Sequence, residues 1–141
     1  MNLNPFLIFE GNCAEAMEFY QACLGGDLTL TRVRDTPMSA QAPAHLLDKV
    51  AYAQLASGQI QISATDWQHQ TRVPRQGNTV GVYLNGASYA ELRIIFDKIA
   101  VGANPDLLDE LRDMPFGSYG HLADRFGVHW FFQGEPTSAI G

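Results

Sequence analysis

The hydrophobic and polar positions of the chain follow the same order twice: a short apolar run, an amphipathic helix and three strands. In the first copy the apolar run at 5–9 predicts a buried strand. Asn12 followed by Glu15 is typical of a capping box at a helix start, and Gly25-Gly26 predicts where that helix ends. Three strands are then predicted at 28–34, 50–56 and 59–64, with a two-residue turn at Ser57-Gly58 between the last two.

The second copy repeats this order after a polar segment. Alternation predicts a strand at 79–85, and Ser88 with Glu91 repeats the capping-box pattern before a helix that ends at Gly102. A weaker strand pattern at 109–114 precedes a hairpin within 119–133, whose turn is predicted at Asp124–Gly127. The two capping positions, 12 and 88, lie 76 residues apart, which indicates an internal duplication.

These patterns predict an α+β fold of two βαβββ modules. The first module is predicted at 1–66, the second at 79–135 and a linker at 67–78, with both modules forming one domain over 1–135. The segment 36–48 contains two prolines and several alanines. It is predicted to be a mobile loop with one helical turn.

The composition is that of a soluble globular protein and disfavours two kinds of partner. The 141 residues are 46% hydrophobic, with a mean hydropathy of −0.10. The net charge is −6 and the nine Lys and Arg residues are scattered, so no nucleic acid partner is expected. No run of about eighteen apolar residues occurs, so no membrane span is predicted.

The cysteines and the start of the chain indicate a cytoplasmic protein. The first residues show neither a basic segment nor the apolar run of a secretory signal. Cys13 and Cys23 lie on one predicted helix, roughly 15 Å apart, whereas a disulfide requires less than about 7 Å. Two reduced thiols fit a reducing compartment.

Three segments carry a resemblance to a known superfamily. They are the first strand and helix at 4–20, the Leu24-Gly25-Gly26 that follows, and Phe116-Gly117 together with 123–130 near the end. With them the chain resembles the vicinal oxygen chelate superfamily, which includes glyoxalase I, extradiol dioxygenases, fosfomycin resistance proteins and bleomycin-binding proteins. Within this superfamily it is most similar to the PhnB-like group.

The resemblance implies that the two βαβββ modules form a glyoxalase-like cup around a shared cleft, often at a dimer interface. In metal-dependent members four His, Gln or Glu ligands line the cleft. The positions implied for three of these ligands fall at Pro5, at Val80 or Gly81, and at Phe131, whose side chains have no donor atom. PhnB-like members often have a histidine early in the third strand, where this chain has Tyr52.

The sequence therefore predicts no metal at these positions and no cofactor. Some relatives carry the label of a demethylubiquinone methyltransferase. No strand of this sequence runs into the glycine-rich turn and helix that would bind an adenosine cofactor, so the residues give that label no support.

Strand alternation divides the side chains into two faces. The face predicted to pack on the helices consists of Phe6, Ile8, Ile60, Ile62, Val80, Val82, Leu84, Trp130 and Phe132. The face predicted to line the cleft consists of Leu7, Phe9, Tyr52, Gln54, Gln61, Ser63, Gly81, Tyr83, His129, Phe131 and Gln133. This second face combines aromatic rings with amides and an imidazole, as small-molecule pockets do. An alternative for any single residue is a place in a second core or a dimer interface.

The ligand-binding residues are accordingly predicted to be Tyr52, Gln54, Gln61, Ser63, Tyr83, Phe116, His129 and Phe131. Phe116 stands where relatives tend to have a tryptophan before the glycine. His129 is the candidate for acid–base chemistry, because an unperturbed imidazole titrates near neutrality. A histidine satisfied at a strand end is the alternative for His129, and it applies equally to His121.

Other polar residues favour structural roles. Asp124 is predicted to bond its own turn rather than to act as a catalytic carboxylate. Arg32 and Arg34 either bind an anion or lie on a solvated edge strand. His45 and His69 are predicted to be solvated in loops, and the cysteines to lie in the core.

Two function classes remain open. The first is a protein of the bleomycin-resistance type, which binds a small molecule without the usual metal site and catalyses nothing. The second is an enzyme of the same fold, a lyase or isomerase that uses His129 or tyrosine side chains, with or without an unrecognised metal. A homodimer is expected in either case, because half-cups expose strand edges and an apolar face.

Overall fold

Each half of the chain folds into a four-stranded mixed sheet with one α-helix against it. A computed structural model describes residues 1–67, 69 and 71–136. The chain divides into two compact units, Met1–Arg75 and Gln76–Gly141. In both units the first strand runs parallel to the fourth, and the fourth, third and second strands pair antiparallel. The predicted α+β fold of two βαβββ modules is confirmed.

The first unit contains one α-helix, four strands and three 3-10 turns. The sheet order is β1-β4-β3-β2, and the elements are β1 (Phe6–Phe9), α1 (Cys13–Leu24), β2 (Asp27–Arg32), β3 (Val50–Ser57) and β4 (Ile60–Asp66). The 3-10 turns lie at Val33–Asp35, Pro37–Ala40 and Ala44–Leu46. Because Ser57 pairs with Ile60, the hairpin turns at Gly58 and Gln59, one residue later than predicted. Gly58 has a φ of 60° there.

The second unit repeats this arrangement. The sheet order is β5-β8-β7-β6, and the elements are β5 (Val82–Ala87), α2 (Tyr89–Ile99), β6 (Asp109–Met114), β7 (Gly117–Ala123) and β8 (His129–Gly134). A 3-10 turn at Pro105–Leu107 precedes β6. The predicted strand start at Thr79 is wrong, because β5 begins at Val82 and Val80 is exposed.

The two helices begin differently, and the first predicted capping box is wrong. Asn12 makes no side-chain cap at α1. The buried carboxylate of Asp66 takes its place: Oδ1 accepts hydrogen bonds from the amides of Gly11 and Cys13 at 2.9 and 3.0 Å. Oδ2 accepts from the Val50 amide at 2.9 Å. One side chain therefore joins the start of α1, the start of β3 and the end of β4.

At α2 the sequence prediction holds for the serine. The Ser88 hydroxyl accepts a hydrogen bond from the Glu91 amide at 3.2 Å. Arg93 on this helix pairs with Asp97 and Glu110 and donates to the Leu111 carbonyl. These bonds hold α2 against β6.

Each unit has its own core between sheet and helix. In the first unit the core includes Met17, Tyr20, Leu55 and Ile62, all almost fully buried. In the second unit the rings of Phe96 on α2 and Phe132 on β8 meet edge to face, with centroids 5.0 Å apart. Trp130 and Phe132 therefore face the helix, as predicted.

The cysteines lie in the first of these cores. Cys13 and Cys23 are buried at opposite ends of α1 and form no disulfide with each other. Burial, with a further contribution from the charge of Asp66 and a smaller opposing one from Arg32, raises the pKa of the Cys13 thiol to about 12. A thiol with this pKa stays protonated near neutral pH and is a poor nucleophile.

The predicted facing of β1 is reversed. Phe9 is buried, whereas Phe6 is 52% and Ile8 is 44% exposed. Phe6 lies beside Ser63 and Ile8 beside Thr65 on the neighbouring strand, so both share the face of the sheet that α1 leaves open. Leu7 and Phe9, predicted to line a cleft, face the helix instead.

Candidate functional site

The open face of the second sheet holds a row of aromatic and imidazole side chains. The register places Tyr83 on β5 beside Phe131 on β8, and Phe131 beside His121 on β7. The rings of His121 and Phe131 are stacked, with centroids 4.4 Å apart and planes 27° apart. Next to this pair the Tyr83 hydroxyl donates to Oε1 of Gln133 at 2.6 Å.

His121 and His129 are hydrogen bonded to each other. Nε2 of His121 lies 3.2 Å from Nδ1 of His129. The ring centroids are 5.4 Å apart and the planes differ by 18°. Two imidazole rings whose nitrogens are 3.2 Å apart have their centroids farthest apart when both nitrogens lie on the line between the centroids. The observed separation is close to that maximum, so the two nitrogens point at each other. The bond holds one proton between the two imidazoles.

A carboxylate lies at the far end of this pair. Oδ2 of Asp109 is 3.7 Å from Nδ1 of His121, whose side chain is only 19% exposed. This distance suits an ion pair when His121 is protonated. Asp109, His121 and His129 thus form a line from β6 across β7 to β8.

A pocket of about 440 Å³ has His129 in its lining. Three amide side chains line it, and Leu107 and Ala123 supply apolar wall. The amides belong to Gln76, Asn78 and Asn104. Oδ1 of Asn104 accepts from the Asp106 amide and Nε2 of Gln76 donates to the Phe126 carbonyl.

Asp124 also lines this pocket, but its carboxylate is used structurally. Oδ1 accepts from the amides of Phe126 and Val128, and Oδ2 accepts from Nε1 of Trp130 at 2.9 Å. The side chain is buried. The predicted backbone-bonding role of Asp124 matches this geometry.

Phe116 lies apart from the other predicted site residues of the second unit. It is 69% exposed at the turn between β6 and β7. It lines a groove of about 340 Å³ with Arg112, Met114 and Tyr119. Asp109 also lines this groove, and Tyr119 lies beside Gln133 on the open face, so Phe116 borders the β6 side of the face that holds Tyr83, His129 and Phe131.

The first unit places its four predicted site residues on one sheet face. Gln54 lies beside Ser63, and Tyr52 and Gln61 have the same parity. Ser63 Oγ is 3.3 Å from the Tyr52 hydroxyl and accepts a hydrogen bond from Nδ2 of Asn4 at 2.7 Å. The exposed rings of Tyr52 and Phe6 lie on this face as well.

The remaining polar candidates lie outside these faces. Arg34 pairs with Asp48, and Nη1 of Arg32 donates to the Asp48 carbonyl at 2.7 Å. Both arginines therefore hold the 36–48 loop against β2, which is a structural role. His45 and His69 are exposed.

The residues at the implied ligand positions do not fit a metal. Pro5 precedes β1, and Gly81 and Phe131 contact each other instead of converging on an ion. A Cβ built on Gly81 would lie 2.5 and 2.7 Å from ring carbons of Phe131. Within the described residues, no group of three or more His, Cys, Asp or Glu side chains is arranged to hold a metal ion.

Sequence reasoning missed the hydrogen bond between the two histidines and the part of Asp109. It treated His121 and His129 singly, because their contact depends on the register of the β7–β8 hairpin. Ala123 pairs with His129, and the Asp124 amide donates to the Val128 carbonyl. Asp124 and Gly127 in the sequence indicate a tight turn with these bonds. The strand register that such a turn imposes is the signal that could have predicted the contact between the two histidines.

Several known proteins are similar to this chain in sequence and in fold. A family model described as 3-demethylubiquinone-9 3-methyltransferase matches residues 1–133. Protein YjdN of Escherichia coli (strain K12) is 27% identical over 150 residues, which cover 97% of this chain and 99% of that protein. The crystal structure of protein PA1353 from Pseudomonas aeruginosa is 32% identical with a TM-score of 0.82, covering 96% of this chain and 98% of that one.

Two more distant structures share the fold alone. One is a putative 3-demethylubiquinone-9 3-methyltransferase, PhnB protein, from Bacillus cereus, with 21% identity, a TM-score of 0.70 and coverage of 95% and 99%. The other is a glyoxylase/bleomycin resistance protein/dioxygenase domain from Frankia sp. EAN1pec, with 12% identity, a TM-score of 0.63 and coverage of 98% and 94%. The predicted resemblance to the PhnB-like group of the glyoxalase superfamily is confirmed.

Proposed function

Because the chain belongs to the 3-demethylubiquinone-9 3-methyltransferase family, whose PhnB-like members have the glyoxalase fold, we propose that it binds a small amphipathic molecule on the open faces of its sheets. It does so without the metal site of the metal-dependent superfamily members. The residues proposed to contact the ligand are Tyr52, Gln54, Gln61, Ser63, Tyr83, Phe116, His129 and Phe131.

The exposure of aromatic rings on these faces carries the proposal. Tyr83 is 55% exposed and Tyr52 is 41% exposed, and each lies beside a polar partner, Gln133 or Ser63. Rings of this kind provide stacking and apolar burial, while the neighbouring amide and hydroxyl groups orient polar atoms of a ligand.

Methyl transfer, which the family's description names, receives no support from these residues. Nucleotide-type cofactors bind where a glycine-rich turn leads from a strand into a helix N-terminus. At the start of α1 the amides of Gly11 and Cys13 are already bonded to Asp66. At α2 the Glu91 amide is bonded to Ser88.

A second candidate function is catalysis by a lyase or isomerase of the same fold. The observation that favours it is the line of Asp109, His121 and His129, which gives His129 a partner for proton transfer. Stoichiometric transition metal in the purified protein would favour a metal enzyme and contradict the metal-free site.

We also propose that the protein is a cytoplasmic homodimer. Buried, reduced thiols support a reducing compartment. None of the helices in the described part of the chain has the length and apolar character needed to cross a bilayer. The exposed apolar side chains of the open faces support a dimer.

The binding proposal is tested by a thermal-shift screen over phenols, quinones, cationic antibiotics and thiol conjugates. A hit should lose most of its shift in Tyr83→Ala or in His129→Ala, since an aromatic contact contributes about 0.5–1.5 kcal/mol, or roughly two- to tenfold in Kd. Ile94→Ala, on the exposed side of α2, is the matched control and should keep the shift. Hits that survive both site substitutions unchanged would place the pocket elsewhere.

A further inference from the structure

The pocket that has His129 in its lining suits a neutral ligand. Among the residues that the structure describes, neither lysine nor arginine belongs to its lining. Both carboxylate oxygens of Asp124 are hydrogen bonded to protein donors. What the pocket offers is a set of amide groups, the apolar side chains of Leu107 and Ala123, and one imidazole. This combination fits a small uncharged aromatic molecule with a polar substituent.

The hydrogen bond between the histidines allows two tautomeric arrangements, and the Asp109 carboxylate beside Nδ1 of His121 favours one of them. When Nδ1 of His121 keeps its proton toward Asp109, Nε2 of His121 is the acceptor of the bond between the rings. Nδ1 of His129 is then the donor, and Nε2 of His129 carries the free lone pair. The stacked ring of Phe131 holds the plane of the His121 ring.

We propose that Asp109, His121 and His129 form a proton relay that deprotonates a phenolic or enolic hydroxyl of a ligand bound in this pocket. The proposal rests on the proposed function for the binding of an aromatic ligand. His129 is the catalytic residue, because it lines the pocket, and His121 and Asp109 are positioning residues.

The transfer balances without another reactant. The ligand O–H bond breaks and its proton bonds to Nε2 of His129, while the proton on Nδ1 of His129 passes to Nε2 of His121. His129 ends neutral, His121 ends as an imidazolium beside Asp109, and the ligand ends as a phenolate or enolate. The reverse transfer restores all three groups. A phenol is matched to an imidazole more closely than an alcohol is, because its pKa of about 10 is nearer to the imidazole value of about 6.5.

Among the titratable groups around His121 and His129, the anion that faces the histidine pair is Asp109. On β6 the other charged residue of the open face is Arg112, which lies beside Tyr119 on β7, two positions from His121. On β5 the titratable neighbour is Tyr83, which lies beside Phe131 and is bonded to Gln133. In the turn between β7 and β8 it is Asp124, whose oxygens are bonded to the turn and to Trp130.

The relay is tested first without ligand, by NMR titration of the histidine rings. At the alkaline end of the titration, where both rings are neutral, His121 and His129 of the wild type should each carry the proton on Nδ1. In Asp109→Asn this preference should weaken, and His45→Gln in the first unit should change neither ring of the pair. A wild type in which neutral His129 carries its proton on Nε2 would overturn the relay.

The second test uses 4-nitrophenol, whose colour reports ionisation. Bound to the wild type, its apparent pKa should fall by about one unit or more, as expected beside a cation, and this shift should vanish in His129→Gln and shrink in His121→Gln. Binding without a pKa change would overturn proton transfer. Absence of 4-nitrophenol binding would overturn the phenolic ligand class. Because the ligand-free titration is independent of binding, failure of the relay and failure of the proposed function give different results.

Discussion

The superfamily resemblance implies metal ligands at Phe131 and at either Val80 or Gly81, and Gly81 and Phe131 fit each other. The Phe131 ring stacks on His121 and fills the space that a side chain at position 81 would need. The backbone of Gly81 is not in the left-handed region, so the constraint there comes from the neighbouring ring alone. At these positions the chain has an aromatic contact where the resemblance implies metal ligands.

Gly81→Ala should destabilise the protein by about 1–3 kcal/mol, the usual cost of overpacking. The added Cβ must displace the Phe131 ring, and with it the orientation of His121. Urea unfolding monitored by circular dichroism measures the change. Gly77→Ala is the matched control, because nothing lies within 4 Å of a Cβ at that position. In a Phe131→Ala background the cost of Gly81→Ala should disappear, and a cost that persists there would contradict the contact as its cause.

Asp66 and Asp124 show how one residue type serves the two units in different ways. Each is a buried carboxylate with three protein donors. Asp66 ties together three elements of the first unit, whereas Asp124 closes one turn and anchors Trp130. Hydrogen bonds to a charged group contribute more than neutral ones, so these two side chains are structural and are not candidates for catalysis.

At the scale of elements, the two helix starts make contrasting predictions for similar sequence patterns. Asn12→Ala should change the free energy of unfolding by less than about 0.5 kcal/mol, because Asn12 caps nothing, even though an asparagine cap is usually worth about 1 kcal/mol. Ser88→Ala should cost about 1 kcal/mol, because Ser88 does accept the Glu91 amide. Asp66→Asn should cost more than either, about 2–4 kcal/mol, since the asparagine nitrogen cannot accept a hydrogen bond and leaves at least one of the three backbone amides without an acceptor.

Urea unfolding of the three variants, with Asp48→Asn as the control for an exposed carboxylate, ranks these costs. Asp48 pairs with Arg34 at the surface, where ion pairs contribute about 0–1 kcal/mol. If Asn12→Ala and Ser88→Ala destabilise the protein equally, Asn12 caps α1 as the sequence predicts.

The sequence predicted the elements well where periodicity was long and poorly where it was short. Strands β3, β6 and β8 and both helices lie close to their predicted ranges. The facing of β1 could not be derived, because Phe6, Leu7, Ile8 and Phe9 are all apolar and show no alternation. The replacement of Asn12 by Asp66 depends on a carboxylate more than fifty residues away along the chain, which no local pattern contains.

The candidate site could likewise be predicted only as far as the local sequence pattern reached. His129, Phe131 and Tyr83 were assigned to one face from alternation alone, and the register confirms that placement. The contact of His129 with His121, and of His121 with Asp109, requires three strands in register. Alternation gives the face of each strand but not its offset from the next strand.

At the scale of the chain, the two units repeat one strand order, and the equivalent edges differ in character. In the first sheet the edge strand β1 exposes Phe6 and Ile8, whereas in the second sheet the equivalent strand β5 exposes Tyr83. The first sheet is thus more apolar along this edge, and the second sheet carries the hydrogen-bonded histidine pair. The two units thus combine similar folds with different surface chemistry.

The apolar edge of the first sheet leads to the prediction of a homodimer. Light scattering at micromolar concentration should give twice the 15.5 kDa of one chain, because exposed strand edges and contiguous apolar side chains are usually covered by a partner. Phe6→Lys combined with Ile8→Lys should shift the protein toward monomer by burying charge in the contact. Ile94→Lys, at a comparably exposed site on α2, should leave the dimer intact. A wild type that stays at 15.5 kDa would contradict the dimer, and a dimer unaffected by the β1 lysines would move the interface to another surface.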